Sequence, residues 1–371
     1  MRSTRRAFMV GLDVTRAVGP RAAARILDQD KRRRRLGEIP RDRVYDRLWR
    51  QAAESVGARV TPLDGSLLEI GREDARTRVQ HQYTDLDGPA TLRVAADKPV
   101  VSRLLEQAGL PVPEHVAFRA DDITEARKFL AETGNVVIKP AGSTGGGFGV
   151  SAHIGSERDL DRAVRRVART QTEVVMERQV PGTVHRVLLL ESGLLDVLRR
   201  HAPRVVGDGV SSIFELMLAE NERRLTLQGE AGIDLLRVDL DCLTTLRVRG
   251  RTLDDVPAAG EVEVVKTVTN QNCASDNESL GRSISPALLH DCIAAARITG
   301  VRLAGVDVIT SDAGRPLSET GGAIIEVNAA PGLHHHYHVA APSETTDVAV
   351  PVLERLLNPC GGTEVGGGSG R

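Results

Sequence analysis

The chain has 371 residues, of which 41% are apolar and 27% charged, and its formal net charge is −1. That length suits two or three packed subdomains with a common core. The near-zero charge and 2% aromatic content argue against a general nucleic-acid surface or a stacking platform for single strands. The N-terminal Ser3-Thr-Arg-Arg-Ala-Phe-Met-Val-Gly-Leu has a twin-arginine look. Its apolar run stops at Asp13 after six residues, however, and no small-residue cleavage site follows it. Export is therefore not expected. No segment reaches the ~20 apolar residues needed to span a bilayer. Cys242, Cys273, Cys292 and Cys360 are scattered without a CxxC pair. Neither zinc nor a disulfide framework is expected, and reduced cytoplasmic thiols are the default.

An arginine-rich helix is expected over about 15–36, its Lys31-Arg-Arg-Arg-Arg35 run read as one solvated face. In Arg43–Val56 the residues Val44, Leu48, Ala52 and Val56 fall at helical spacing, with Gly57 as the stop. Short strands follow over Ala58–Leu63 and Ser66–Ile70, turned by Asp64-Gly65, and Arg76–Gln82 offers another. Lys98 opens an amphipathic helix marked by Val101, Leu104, Leu105 and Ala108 and stopped by Gly109, Pro111 and Pro113. Then come strand Glu114–Phe118, helix Ile123–Thr133, a buried strand Asn135–Pro140, a glycine loop, strand Val150–Ile154, helix Glu157–Thr170 and strand Glu173–Arg178. Paired strands Arg186–Glu191 and Leu195–His201 lead to a helix over Ser212–Glu222 with Ser211 as its N-cap. The stretch 223–270 has no clear period. Helix Pro286–Thr299 precedes two short strands, and Val348–Leu357 reads as another helix. The glycine-rich residues 361–371 read as a flexible tail.

Chemistry concentrates in three places. Lys139 ends the apolar run Val136-Val-Ile directly before Pro140, and a lysine at the rim of a buried strand wants an anion. The loop Ala141-Gly-Ser-Thr-Gly-Gly-Gly-Phe-Gly lets backbone N–H groups approach that anion. It lacks the Gly-Lys-Ser/Thr ending of a Walker loop, and a strand rather than a helix follows it, so a flap over nucleotide phosphates fits better. Glu177 closes the strand Val174-Val-Met-Glu, and the turn at Pro181-Gly182 exposes residues 177–180, whose backbone or carboxylate could read an adenine edge. Finally, Asp307, Glu326 and Asn328 interrupt the apolar strands Gly305-Val-Asp-Val-Ile-Thr and Ile324-Ile-Glu-Val-Asn-Ala. Glu326 and Asn328 share one strand face with Val327 on the other. These oxygens suit Mg²⁺, which takes hard ligands and keeps phosphate oxygens in its shell. A solvated polar face is the alternative, though it leaves Asp307 unexplained.

In order, these pieces resemble the ATP-grasp superfamily, in particular the ATP-grasp modules of cyanophycin synthetases and bifunctional glutathione synthetases. The resemblance covers about 95–357 and rests on Asp97-Lys98, Lys139-Pro with its glycine loop, and Val-Met-Glu177-Arg-Gln-Val-Pro-Gly-Thr-Val-His-Arg186. It rests also on Pro203-Arg-Val-Val-Gly-Asp-Gly209, Leu253–Gly260 and the Asp307…Glu326-Val-Asn328-Ala-Ala-Pro-Gly pair. It implies an α/β (α+β) ATP-grasp fold: an N-terminal domain (1–96), a lid subdomain (97–182), a C-terminal subdomain with the metal site (183–358) and the tail (359–371). It also implies a C–N ligase that joins a carboxylate to an amine through an acyl phosphate, with ATP and two Mg²⁺ ions, Mn²⁺ being able to substitute.

By that resemblance Lys98, Lys139 and the loop glycines Gly145, Gly146 and Gly147 contact phosphates, while Glu177, Arg178 and Val180 form the adenine hinge. His185 lies near the ribose, Arg186 and Arg204 hold phosphate or acyl-phosphate charge, and Asp307, Glu326 and Asn328 bind the metal. The resemblance further implies a cytoplasmic homo-oligomer acting on small molecules, with no nucleic-acid or membrane partner. Two stretches depart from it on the acceptor side: Thr269-Asn-Gln-Asn-Cys-Ala-Ser275, containing Asn272, and His334-His-His-Tyr-His338. His334 and His336 would share a face if that stretch were extended, as a metal site, a substrate wall, a general base or a structural element. A phosphotransferase on the same fold, a non-catalytic nucleotide-binding protein and a nucleic-acid binder through 31–35 remain as other readings.

Overall fold

The computed structural model describes residues 19–36, 39–142, 149–226, 235–269, 273–341, 343 and 345–358, the side chains of 22, 34–36 and 39–41 excepted. The twin-arginine stretch, Gly145, Gly146, Gly147, Asn272, Cys360 and the tail lie outside the described residues.

A five-stranded antiparallel sheet organises the molecule, in the order β12 (Asn277–Gly281), β9 (Gly193–Arg200), β8 (Thr183–Leu190), β13 (Leu303–Thr310), β14 (Ala323–Ala329). Side chains alternate between its faces. One face carries Val187, Leu189, Val197, Ala304, Val306, Val308 and Val327, all buried against helices α4 (Lys98–Gln107) and α9 (Pro286–Thr299). Burying each such side chain is worth roughly 1.5–3 kcal/mol. The opposite face carries the polar residues, because the register places Asp307 opposite both Arg186 and Glu326, Gly305 opposite Asn328, and Arg200 opposite Asn277.

A four-stranded sheet, β4 (His115–Arg119), β7 (Glu173–Arg178), β5 (Val136–Pro140), β6 (Ser151–Ile154), carries α5 (Thr124–Thr133) and α6 (Glu157–Val167) over its own apolar cluster. As expected, a strand follows the glycine loop. Strands β10 (Arg204–Val206) and β11 (Val262–Val264) pair apart from the large sheet and pack with α7 (Ile213–Thr226) and α8 (Leu240–Val248). Helix α8 and β11 fall in the stretch that has no legible period. The α7 N-cap stands one residue later than expected: Ser212 Oγ accepts from the Glu215 N–H (3.3 Å) and Glu215 accepts back from the Ser212 N–H (2.9 Å). Ser211 instead bonds Asp208.

Helices α1 (Pro20–Leu36) and α2 (Ile39–Ser55), the hairpins β1 (Arg59–Asp64), β2 (Leu67–Arg72) and β3 (Ala75–Gln80), and α3 (Pro89–Ala95) complete the N-terminal part, with a short α10 (Leu317–Thr320) further on. Arg32 of the basic run pairs with Glu222 of α7. Two packing clusters cut across the expected divisions. Tyr45 and Trp49 share a cluster with Leu188, Leu303, Leu333 and with Val352 and Leu353 of α11 (Ala349–Leu357). Val101 and Leu105, assigned from sequence to the lid, pack with the large sheet. Among the described residues no helix is long and apolar enough to cross a membrane.

Candidate active site

The polar face of the large sheet is built by strand register. Asp307 and Asn328 approach through the Asn328 carboxamide, which donates to Asp307 Oδ2 (3.3 Å), Glu326 Oε2 (3.4 Å) and the Gly305 carbonyl (3.2 Å). Only glycine fits at 305, where a Cβ would stand 2.8 Å from Pro331 Cβ. The neighbouring Arg186 donates twice to Asp307, Nε to Oδ1 at 2.8 Å and an η-nitrogen to Oδ2 at 2.6 Å, in the fork that arginine makes with a carboxylate. Burial works against the charge on Arg186, but Asp307, with Glu326 beyond it, more than offsets this and raises its pKa.

Lys98 stands at the first turn of α4, capped by Asp97, whose side chain accepts from the Val100 N–H. It reaches Glu326 at 3.1 Å. The Lys98 N–H donates to the Ala141 carbonyl, which ties this helix to the strand bearing Lys139. Burial pushes the Glu326 carboxyl up, yet Lys98, Lys139 and Arg186 together outweigh it and hold the carboxyl below its usual range. The expected cations therefore converge on the expected oxygen donors. The Asn328 carboxamide turns its nitrogen to the two carboxylates; with the amide turned over, its oxygen would join theirs in a set of hard oxygens fit for Mg²⁺ that shares its shell with phosphate. Among the described residues no group of three or more His, Cys, Asp and Glu could hold a metal alone.

The remaining expected residues divide. Lys139 is buried on β5 and pairs with Glu177 of β7 at 2.5 Å. The Arg178 N–H donates to Glu114 and the Gln179 N–H to Asn135, while the Arg178 side chain pairs with Glu114 at the surface. Val180 is half-buried at the following turn. There Gly182 is required, since its φ is +127° and a Cβ would lie 2.6 Å from the Thr310 backbone. His185 lies on the opposite face from Arg186, 1% exposed, its Nδ1 3.0 Å from the Thr183 carbonyl and its Nε2 3.5 Å from Arg199. Burial lowers its pKa to about 4. It is a buried interior group. Arg204 sits on the separate β10–β11 pair, where it donates to the Ser275 carbonyl (3.2 Å) and faces Asp276 (3.8 Å).

The histidine stretch is not extended. Leu333–His336 form a 3-10 turn, so His334 and His336 do not share a strand face. His334 Nδ1 meets the Tyr45 hydroxyl at 2.9 Å, with the rings 5.5 Å apart. His336 Nδ1 meets Asp196 Oδ2 at 2.6 Å. Four participants on or beside this face escaped sequence reading: Tyr45, Asp196, Arg200 and Asn277. Arg200 bonds the Thr269 carbonyl (2.7 Å), and its Nε is buried without a partner among the described residues, as are Asn277 Oδ1 and His336 Nε2. Burial, then the nearby Arg186, lowers the Arg200 pKa to about 10. Asp196 carried a legible signal: like Asp307, it is a carboxylate set inside an apolar strand, Leu194-Leu-Asp-Val-Leu.

No family model matches the chain. A cyanophycin synthetase of Geminocystis herdmanii is 31% identical over 301 residues, which are 79% of this chain and 34% of that protein. The bifunctional glutathione biosynthesis protein GshAB of Mannheimia succiniciproducens is 29% identical over 252 residues, 66% of this chain and 33% of the relative. The bifunctional glutathione synthetase structure from Pasteurella multocida superposes with a TM-score of 0.53 at 23% identity, over 83% of this chain and 43% of that one. The chain has an ATP-grasp fold. It spans about a third of the length of the curated relatives it matches, and the structural likeness speaks for the fold alone.

Proposed function

We propose that the chain is an ATP- and Mg²⁺-dependent carboxylate–amine ligase, forming an amide or peptide bond on an amino acid, peptide or small specialised metabolite. The observation that carries this reading is the convergence of Lys98 of α4, Lys139 of the four-stranded sheet and Arg186 of β8 on Asp307, Glu326 and Asn328 of the large sheet. The relatives named above, cyanophycin synthetase and glutathione biosynthesis protein, support it.

Phosphoryl transfer needs positioning and charge neutralisation more than covalent help from the protein. Lys98 and Lys139 would bind the phosphates, exchanging their carboxylate partners for phosphate oxygens. Residues 177–180 would hold the base through backbone groups, and the 142–149 loop would close over the nucleotide. Asp307, Glu326 and Asn328 would hold Mg²⁺, which supplies charge neutralisation on the phosphate oxygens. Arg186, anchored by Asp307, would meet the charge that develops as the carboxylate attacks the γ-phosphate. Arg204 would complete that charge only if β10 approached the large sheet. Water excluded from the closed site spares the acyl phosphate, and no protein nucleophile is required. Free Cys242, Cys273 and Cys292 agree with a reducing, cytoplasmic setting, and a homo-oligomer is part of the reading.

The test is release of ADP and phosphate that demands both a carboxylate and an amine and disappears in Glu326→Ala. A stable phosphorylated product, seen by mass, would favour a phosphotransferase instead. Full activity in Glu326→Ala would remove the metal assignment.

A further inference from the structure

The five-stranded sheet carries a second buried carboxylate on its polar face, away from Asp307 and Glu326. Asp196 lies between Leu195 and Val197 on β9 and is 0% exposed. Its register puts it opposite Leu188 of β8, on the same face as Arg186 and Arg200. A buried carboxylate without partners is costly, and this one is well provided. Its Oδ1 accepts from Ser279 Oγ (3.1 Å) and Thr346 Oγ (3.1 Å), and its Oδ2 lies 2.6 Å from His336 Nδ1.

Those bonds fix the chemistry of the histidine. An ionised carboxylate only accepts, so His336 Nδ1 must carry the hydrogen. In the neutral ring the lone pair then belongs to Nε2, which is buried and has no hydrogen-bond partner among the described residues. A histidine kept for structure alone would be expected to satisfy both nitrogens. One nitrogen held by a carboxylate and the other left bare is the arrangement of a general base with its orienting group.

We propose that His336 is the general base of the condensation, with Nε2 taking a proton from the attacking amine and Asp196 acting as the positioning residue. This rests on the ligase reading. The amine arrives as an ammonium and loses two protons in becoming an amide nitrogen. As the C–N bond forms, the C–O bond to phosphate breaks and its electron pair leaves with the phosphate. One proton ends on that phosphate and the other on Nε2, where the imidazolium faces Asp196.

The charged and titratable groups facing His336 are Asp196 and Arg200 on β9, Arg186 on β8, and His334 and His335 on its own turn. Burial lowers the His336 pKa, Asp196 opposes the shift, and the arginines add to it, so the resting ring is neutral and able to accept. His334 is placed differently, its Nδ1 engaged by Tyr45.

Two measurements on the full chain test this. The first needs no substrate: ¹⁵N NMR of the histidine rings. Expected is an Nδ1–H tautomer with unprotonated Nε2 for one ring, absent in His336→Gln and altered in Asp196→Asn. An Nε2–H tautomer or a charged ring at neutral pH would overturn the proposal. The second separates the two halves of the reaction. Each standard L-amino acid is offered with ATP as the carboxylate, with either hydroxylamine or a second amino acid as the amine. Hydroxylamine is already unprotonated at neutral pH and needs no base. Expected is that His336→Gln keeps hydroxamate formation within about threefold while amide formation falls about 10²–10⁴-fold, with partial rescue by added imidazole. Asp196→Asn should lose about tenfold in amide formation alone. Amide formation intact in His336→Gln, or both products lost together in each variant, would overturn the proposal and leave the ligase reading standing. Neither product from the unmodified protein would end both.

Discussion

The two ends of one sheet face are finished differently. At the β13–β14 end every polar side chain has its counterpart: Asp307 with Arg186, Glu326 with Lys98, and Asn328 bridging the two acids. At the β9–β12 end three buried atoms, Arg200 Nε, Asn277 Oδ1 and His336 Nε2, have none among the described residues. Buried groups left unpaired cost about 1–3 kcal/mol each, so a fold tolerates a cluster of them where something else completes it. The paired end matches chemistry that meets the same charged phosphates in every turnover. The unpaired end matches a place for a group that this protein selects for itself.

The largest test of this contrast is Glu326→Ala. It removes one of the paired acids and should lower kcat/KM by about 10³-fold, measured by ADP release, with little change in melting temperature because Glu326 is half-buried. Next, Lys139→Met leaves Glu177 buried and uncompensated, which should destabilise the fold by about 3–5 kcal/mol in urea titration. Adding Glu177→Gln should recover most of that stability but none of the activity. A double variant that regains activity would show the pair to be merely structural.

His185 provides a control from the other side of the sheet. Its pKa is about 4 in the fold against an ordinary 6.5. Between those values the unfolded chain binds a proton that the folded chain refuses, so stability falls as pH drops from 6.5 towards 4 and is unaffected above that window. The contribution is about 3 kcal/mol, and His185→Gln should flatten that part of the pH–stability curve without changing kcat. The smallest effect belongs to Arg200→Lys, which keeps the charge and loses the guanidinium fork. It should raise the KM of one organic substrate about tenfold while the KM for ATP stays constant. A change in the ATP value alone would move Arg200 to the phosphate end.

The same contrast explains what the sequence could tell. Asp307, Glu326, Asn328 and Lys139 each break an apolar strand within a few residues of another signal, so local pattern and alternation brought them to light. Lys98 was marked by the helix that it opens. The unpaired end is assembled from β9, β12 and a 3-10 turn, and nothing local joins Asp196 to a histidine 140 positions later. Arg199 and Arg200 are adjacent, and only the register sends Arg200 to the polar face and Arg199 to Glu278. The pairing of Glu177 with Lys139 was not legible, because it depends on strands β5 and β7 lying side by side. Whether the histidine stretch is extended is not legible in the sequence, because alternation carries no information over so few residues.

The cluster that joins Tyr45 and Trp49 to Val352 and Leu353 bears on how the protein comes into being. A ribosome releases helix α2 and its hairpins some three hundred residues before α11, their packing partner, exists. During that interval the Trp49 indole and the apolar side of α2 have only part of their cover, from Leu68, Ile70 and Val79 of the hairpins. Domains ordinarily mature in the order of their synthesis, but here α2 must wait for α11, the last described helix. Newborn chains of this protein are accordingly expected to be clients of holding chaperones. Premature stops anywhere before Ala349 should yield aggregates rather than a soluble, inactive fragment.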